Sequence, residues 1–392
     1  MWRAASGDSE ARLAAEALGK EQERAVFHVL PRGMNYSRLR ATSIDLFVAE
    51  VAAHSRNVVE VVAEADEPTL PAARLHRLPR FGFAATLRRA QFVAALVRRE
   101  SPRLVIVQQH LPSAAAIAAR IKTPVLLQRH NFMRPPRRGW FGGALRRRHL
   151  RALNSLAGIT FVSEVAREEF AVEWPEVTIP RWVIPNGVDI EAWRPAETRD
   201  PFALVVGRAT PEKGLLEAAQ ALAAAFGSQP LWNAAFVVAG AKRGGDYLTQ
   251  VRAALSPLGP RAEVLVDIPF ASVKSLNERA AIAIIPSKWR EPFGRTCLEA
   301  HAGGAAVISS GSGGLREISG EEALYAPGAD VGELTKALSR LIGDEALRSR
   351  MARLGRRRVA ERFDLPQIAA RLDDACDQAC ALWSERGKRN GG

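Results

Sequence analysis

The chain has 392 residues, 47% of them apolar, and a net charge of +13, which is enough apolar matter for two cores and excludes an intrinsically disordered chain. Three cysteines, Cys297, Cys376 and Cys380, give neither a disulfide framework nor, beside seven histidines, a zinc spacing, so a reducing, cytoplasmic setting is expected. No run of about 18 apolar residues suits a membrane span, and residues 1–24 form a polar, variable extension without the apolar stretch of a signal peptide.

From Ala25 onward short apolar runs alternate with amphipathic stretches, the pattern of parallel strands covered by helices. Strands are predicted over 25–30, 58–62, 104–108, 124–128, 159–163 and 182–185, with helices over 41–54, 84–99 and 113–121 between them. The polar, proline-bearing stretch 193–201 reads as a linker. A second series follows at 203–207, 234–240, 262–266, 281–286 and 305–309, and a last helical stretch, 366–383, is free to return to the first domain. Two doubly wound α/β domains result, over 25–192 and 202–365, with 366–392 as a C-terminal helix and no repeat that would make a solenoid.

Three loops carry the chemistry. The strand Ala203–Gly207 runs into Arg208-Ala-Thr-Pro-Glu-Lys213-Gly214 and then a helical pattern. A glycine at the carboxyl end of a parallel strand lets the backbone approach a ligand, and two cations beside a helix N-terminus suit a diphosphate. After strand 281–286 comes Glu291-Pro-Phe293-Gly294-Arg295-Thr296-Cys-Leu-Glu299, one carboxylate in a loop and one on the helix behind it. Two carboxylates so placed can hold two parts of one ligand, and the helix-start amides can meet an anion. The third loop, Gly311-Ser-Gly313-Gly314-Leu-Arg-Glu317, also links strand to helix; glycine loops of this kind are often only tight turns. A dinucleotide fingerprint after the first strand is lacking, which disfavours a dehydrogenase.

Together these loops resemble glycosyltransferase family 4, retaining enzymes of the GT-B fold, in which two Rossmann-like doubly wound domains face each other across a cleft. The resemblance rests on Val183-Ile-Pro-Asn186-Gly187-Val-Asp189, on Gly207-Arg208 with Lys213-Gly214, on the Glu291 and Glu299 pair, and on the glycine loop ending at Glu317. It implies a hexosyltransferase using a UDP- or GDP-linked sugar as substrate, with no cofactor and no metal, acting on a glycan or glycolipid acceptor in cell-surface glycan assembly. Arg208 and Lys213 would hold and stabilise the leaving diphosphate. Glu291 would contact hydroxyls of the transferred sugar, Gly207 and the backbone from Phe293 through Gly294 and Arg295 to Thr296 would lie near sugar and phosphates, and Glu299 would bind the ribose. The base would sit near Ile268. On the N-terminal side Gly33 is the candidate for the family's glycine loop against the donor. His130, after a strand end, would face the donor sugar and assist electrostatically or by orienting it, with His110 and Asn131 as further acceptor-side candidates.

Cys297 and His301 share a helical i,i+4 spacing, yet two ligands make a poor metal site and packing accounts for them better. The basic excess is mostly arginine, as a GC-rich coding bias would also give, but residues 80–151 hold 16 Lys/Arg against one acid, Glu100. Arg88, Arg89, Arg98 and Arg99 share a helical segment; Arg134, Arg137, Arg138 and Arg146–Arg148 surround Trp140 and Phe141. Cations beside aromatics suit peripheral contact with an anionic membrane at the inner face of the cytoplasmic membrane. A sugar phosphorylase or nucleotide-sugar epimerase of the same fold is the enzyme alternative. The pI of 10.4 would also fit a nucleic-acid-binding protein, but no nucleic-acid motif accompanies it, and no nucleic-acid partner is expected.

Overall fold

The fold is given by a computed structural model that describes residues 25–38, 42–71, 74–136, 139–240 and 245–390. The expected extension 1–24, the start of helix 41–54 at Ala41, and Arg137 and Arg138 lie outside the described residues.

Among the described residues, one compact unit holds the chain up to Val162, Ala166–Ile184 and the stretch from Pro366; the other holds Ser163–Val165 and Pro185–Leu365. The first unit carries a seven-stranded parallel sheet made of β1 (Val26–Val29), β2 (Val59–Ala63), β3 (Arg74–Arg77), β4 (Leu104–Gln108), β5 (Val125–Arg129), β6 (Gly158–Phe161) and β7 (Arg181–Val183), ordered β3-β2-β1-β4-β5-β6-β7. Strands β1, β4 and β6 are buried along their whole length, which is why they read as mostly apolar runs. Helices α1 (Ser43–His54), α2 (Ala85–Glu100), α3 (Leu111–Ala118), α4 (Trp140–Asn154) and α5 (Glu164–Glu173) intervene. Thr42 caps α1 in a reciprocal capping box with Asp45, which fixes where that helix starts.

The second unit carries a six-stranded parallel sheet of β8 (Asp200–Arg208), β9 (Asn233–Ala239), β10 (Ala262–Val266), β11 (Ala280–Ile285), β12 (Ala306–Ser309) and β13 (Ala323–Tyr325), ordered β10-β9-β8-β11-β12-β13. Its helices are α6 (Leu215–Phe226), α7 (Gly245–Leu255), α8 (Phe270–Arg279), α9 (Arg295–Ala302), α10 (Gly314–Ser319), α11 (Val331–Gly343) and α12 (Glu345–Phe363). Each unit is thus doubly wound and Rossmann-like, and the chain has the GT-B fold. In each sheet the strand order reverses direction once, between β1 and β4 and between β8 and β11, and crevices for ligands form at such switch points.

Three features differ from the sequence expectations. Strands β3 and β13 are not anticipated: both are short edge strands, and the Arg-Leu-His-Arg of β3 has a single buried side chain. The stretch 193–201, expected as a linker, is built into the second unit: Trp193 is buried, Arg199 Nη1 and Nη2 donate to Glu278 O and Gly303 O (both 2.7 Å), and β8 already begins at Asp200. Arg356 Nη2 adds bonds to Ile190 O and Trp193 O (3.2 and 3.0 Å), so the unit starts at Pro185. The last helix, α13 (Leu365–Asn390), is longer than 366–383 and lays Ile368, Leu372, Ala375, Cys376 and Ala379 into the core of the first unit. Asp373 on it accepts from Ser55 Oγ (2.6 Å), Arg56 N (2.9 Å) and Asn57 Nδ2 (2.7 Å). Among the described residues no helix is long and apolar enough to cross a membrane.

Candidate functional site

In the second unit the loops after β8 and β11 are locked together at the switch point. Gly214 has φ +68°, and a Cβ there would lie 1.9 Å from Pro286 O, so only glycine permits the approach. Lys288 N donates to Glu212 O (2.9 Å), closing the two loops on each other. Into that junction Glu291 projects a nearly buried carboxylate whose Oε1 accepts from Lys213 Nζ (2.5 Å) and Ser287 Oγ (2.7 Å). The Lys213 ammonium also stands 5.3 Å from the ring centroid of Trp289. Arg208, by contrast, is exposed, with Glu212 no closer than 3.9 Å. One cation is therefore committed to a carboxylate and the other is held loosely at the strand end.

The glycine loop supports Glu291 from behind. Gly314 N donates to Glu291 O (2.9 Å), and Gly313, at φ +63°, passes so near that a Cβ would lie 2.1 Å from Glu291 O. Gly294, at φ +114°, precedes α9, which starts without a side-chain cap, and a Cβ there would meet Leu315 Cδ2 at 2.3 Å. Phe293 is buried against Phe363, with ring centroids 5.8 Å apart. One turn into α9 the Glu299 Oε1 accepts from Arg295 Nε (2.8 Å), both side chains mostly buried, while Thr296 lies in the first turn of the same helix. Gly207, at the end of β8, leaves 3.0 Å between a notional Cβ and Leu215 Cδ1. Ile268 follows β10, partly buried against the β8–β9 face. Cys297 Sγ and His301 Nε2 both meet Ser319 Oγ, at 3.2 and 2.9 Å; burial pushes the thiol up to about 12 and the imidazole down to about 3.

The first unit brings its histidines to the strand ends. His130 follows β5 and His110 follows β4, whose ends are in register through Gln108 and Gln128. Gln108 Nε2 donates to Gln128 Oε1 (2.9 Å) and faces His28 Nδ1 (3.1 Å), and Gln108 Oε1 accepts from His130 Nε2 (2.7 Å). Desolvation, then Arg129 and His28, pushes the His130 imidazole down to about 3, so it is neutral at pH 7. A neutral ring whose Nε2–H is spent on Gln108 offers Nδ1 as an acceptor and can orient a ligand without adding charge. His110 Nδ1 is paired with Ser113 Oγ (2.8 Å) at the start of α3; Asn131 is exposed. Gly33 takes φ +79° after β1 with open space where a Cβ would be, beside a cavity of about 330 Å³ shared with Arg32, Glu64 and Arg80. Sequence reasoning missed Ser287, Gln108, Gln128 and His28. The signal was present, since β1, β4 and β5 each carry polar residues near the ends of otherwise apolar buried runs.

Two family profiles match: Glycosyltransferase Family 4 over residues 46–192 and Glycosyl transferases group 1 over residues 189–358. The chain belongs to glycosyltransferase family 4. Among relatives of this family-4 chain, a glycogen synthase of Mycobacterium tuberculosis is 29% identical over 270 residues, 65% of this chain and 63% of that protein. An MMP alpha-(1->4)-mannosyltransferase of Mycolicibacterium hassiacum is 25% identical over 265 residues, 63% of this chain and 60% of the relative. The matches thus span less than two thirds of these curated relatives. In fold, sucrose-phosphate synthase of Thermosynechococcus elongatus superposes with a TM-score of 0.71 at 18% identity, covering 91% of this chain and 100% of that one. Anabaena HepE in complex with UDP-glucose gives 0.69 at 18% identity, covering 91% and 99%.

Proposed function

We propose that this family-4 chain moves a hexose from a UDP- or GDP-linked donor to an acceptor hydroxyl with retention of anomeric configuration and without a metal, in cell-surface glycan or glycolipid assembly. The observation that carries the reading is the Glu291 carboxylate held by Lys213 and Ser287 at the β8–β11 switch point, with Arg208 on the same loop as Lys213 and only loosely paired with Glu212. A sugar hydroxyl finds an acceptor at Glu291, and a diphosphate finds two cations within one loop. When the bond from the anomeric carbon to the diphosphate oxygen breaks, the electron pair passes to that oxygen, and Arg208 and Lys213 oppose the charge that develops. The acceptor hydroxyl attacks on the face the diphosphate leaves, and its proton departs with the diphosphate. No carboxylate is needed as nucleophile. Glu299 and the backbone near Ile268 would serve the nucleoside, and the neutral His130 would orient the sugar through Nδ1. HepE, a solved relative in fold, is described in complex with UDP-glucose, which supports a nucleotide-sugar donor. The basic, aromatic stretch of the first unit supports a peripheral contact with anionic membrane.

The test is thermal stabilisation by UDP-, GDP- and ADP-sugars, since a ligand that binds the native state raises its melting temperature, followed by transfer to an acceptor with the product anomer read by NMR. Transfer with the anomer kept, in EDTA, is expected. Phosphorolysis or epimerisation without transfer, an inverted product, or activity lost to EDTA and restored by a divalent ion would each overturn the corresponding part.

A further inference from the structure

Away from these loops, α2, α3 and α4 of the first unit enclose a cavity of about 610 Å³, within the size range of small-molecule sites. Its walls are apolar: Leu87 from α2, Pro112 and Ala116 from α3, Leu145 and Ala152 from α4, with Arg148 among them. Phe141, Leu145, Arg148 and Ala152 recur at helical spacing, so one face of α4 runs from an aromatic start down into the cavity. Phe83, Trp140 and Phe141 are 86%, 84% and 86% exposed. Of eleven large hydrophobic residues exposed among the described residues, these three with Leu87 and Leu145 make five, all on α2, α4 or immediately before α2. Exposed apolar side chains gathered in this way mark an interaction site.

The charges around it divide into two sets. Arg89 is spent on buried Glu64, Arg134 faces Glu169, and Arg146 binds Glu176 and covers the Trp174 ring. Arg88, Arg98, Arg147, Arg148 and Arg151 have no ion pair among the described residues. His149, on the cavity wall, keeps a buried Nδ1 without a hydrogen-bond partner. An apolar cavity with Arg120 and the unpaired Arg148 in its lining, between helices that expose Phe83, Trp140 and Phe141 at or just before their starts, fits a molecule with a hydrocarbon tail and an anionic head.

We propose that this cavity receives one acyl chain of an anionic bilayer phospholipid, with Arg148 and Arg120 meeting its phosphate and Trp140 and Phe141 in the headgroup layer. The assignment rests on the membrane-surface reading above and adds to it a defined lipid site.

The experiment uses the full chain with three probes: lysophosphatidylglycerol below its micelle concentration, its chain-free glycerophosphoglycerol headgroup, and vesicles of phosphatidylcholine with or without phosphatidylglycerol. The lysolipid binds, the headgroup alone does not compete, and affinity rises by up to about fourfold per added methylene until the cavity is full. Ala116→Phe with Ala152→Phe, which fills the cavity without altering charge, weakens lysolipid binding by about tenfold or more, while mixed vesicles still bind in a salt-sensitive way through Arg147 and Arg148. Unchanged lysolipid binding by the filled variant, or self-association of the wild type that the filled variant abolishes, overturns the acyl-chain site. No binding of the wild type to mixed vesicles at low salt overturns the membrane reading, and with it the bilayer as the source of the chain. If the filled variant fails to fold, the chain-length series on the wild type decides: no dependence on length overturns the site.

Discussion

At the scale of single residues, the two cations of the β8 loop separate stability from binding. Lys213 neutralises a nearly buried carboxylate, and removing one partner of such a pair leaves the other charged and desolvated. Lys213→Ala is expected to destabilise the protein by about 3 kcal/mol and to lower donor affinity; Arg208→Ala, at an exposed side chain, leaves the melting temperature nearly unchanged and weakens nucleoside-diphosphate binding by about tenfold or more. Calorimetric titration beside thermal melts of the two variants reads the contrast, and equal melting temperatures would refute it. The glycines sort in the same way. Gly313→Ala forces a left-handed φ and a 2.1 Å contact with Glu291 O, so it should cost several kcal/mol and displace Glu291. Gly33→Ala meets open space and should cost only about 1 kcal/mol of backbone strain, both read by thermal melts.

At the scale of elements, α13 shows how a terminal helix becomes part of a distant core. Pro366 sits in its first turn, where a missing N–H costs nothing, and the apolar stripe from Ile368 to Ala379 fills the first unit. Its polar anchor is Asp373, 3% exposed and bonded to three donors at the end of α1. Asp373→Ala leaves the buried Asn57 without that partner and also strips Ser55 and the Arg56 N–H of theirs, so it should cost on the order of 3 kcal/mol, with nucleotide binding by the second unit unchanged. A melt that does not shift would show that the helix is held by its apolar face alone.

At the scale of the whole molecule, each unit carries a buried neutral histidine that couples its stability to pH. Burial lowers His28 in the first unit from 6.5 to about 4, and burial, then Arg358, lowers His301 in the second from 6.5 to about 3. Because the folded values are depressed, the unfolded chain takes up protons first. The stability is fully present above the unfolded value near 6.5 and is lost as pH falls toward the folded values. Each histidine contributes a slope of about 1.4 kcal/mol per pH unit in that window. Thermal transitions of both units should fall between pH 6.5 and about 4.5, and His301→Gln should flatten the dependence of the second unit only. A pH-independent melt in this range would contradict the burial of both rings.

The sequence by itself determined the two doubly wound units, because strands buried on both faces must be mostly apolar and helices between them amphipathic, and both patterns survive in one dimension. It also picked out the loops carrying Arg208, Lys213, Glu291 and Glu299, since glycines and charges at strand ends are local features. Edge strand β3 escaped because its Arg-Leu-His-Arg, half in water, has no obligatory apolar run, and β13 because three residues show no period. The stretch 193–201 looked like a linker because its polar atoms are satisfied by Glu278, Gly303 and Arg356, all far along the chain. Likewise the pairing of Lys213 with Glu291, the amide relay from Gln108 to His130, and the division of arginines 80–151 into paired and unpaired sets were decided only by tertiary structure. Partners brought together by strand order rather than by sequence leave no spacing to read.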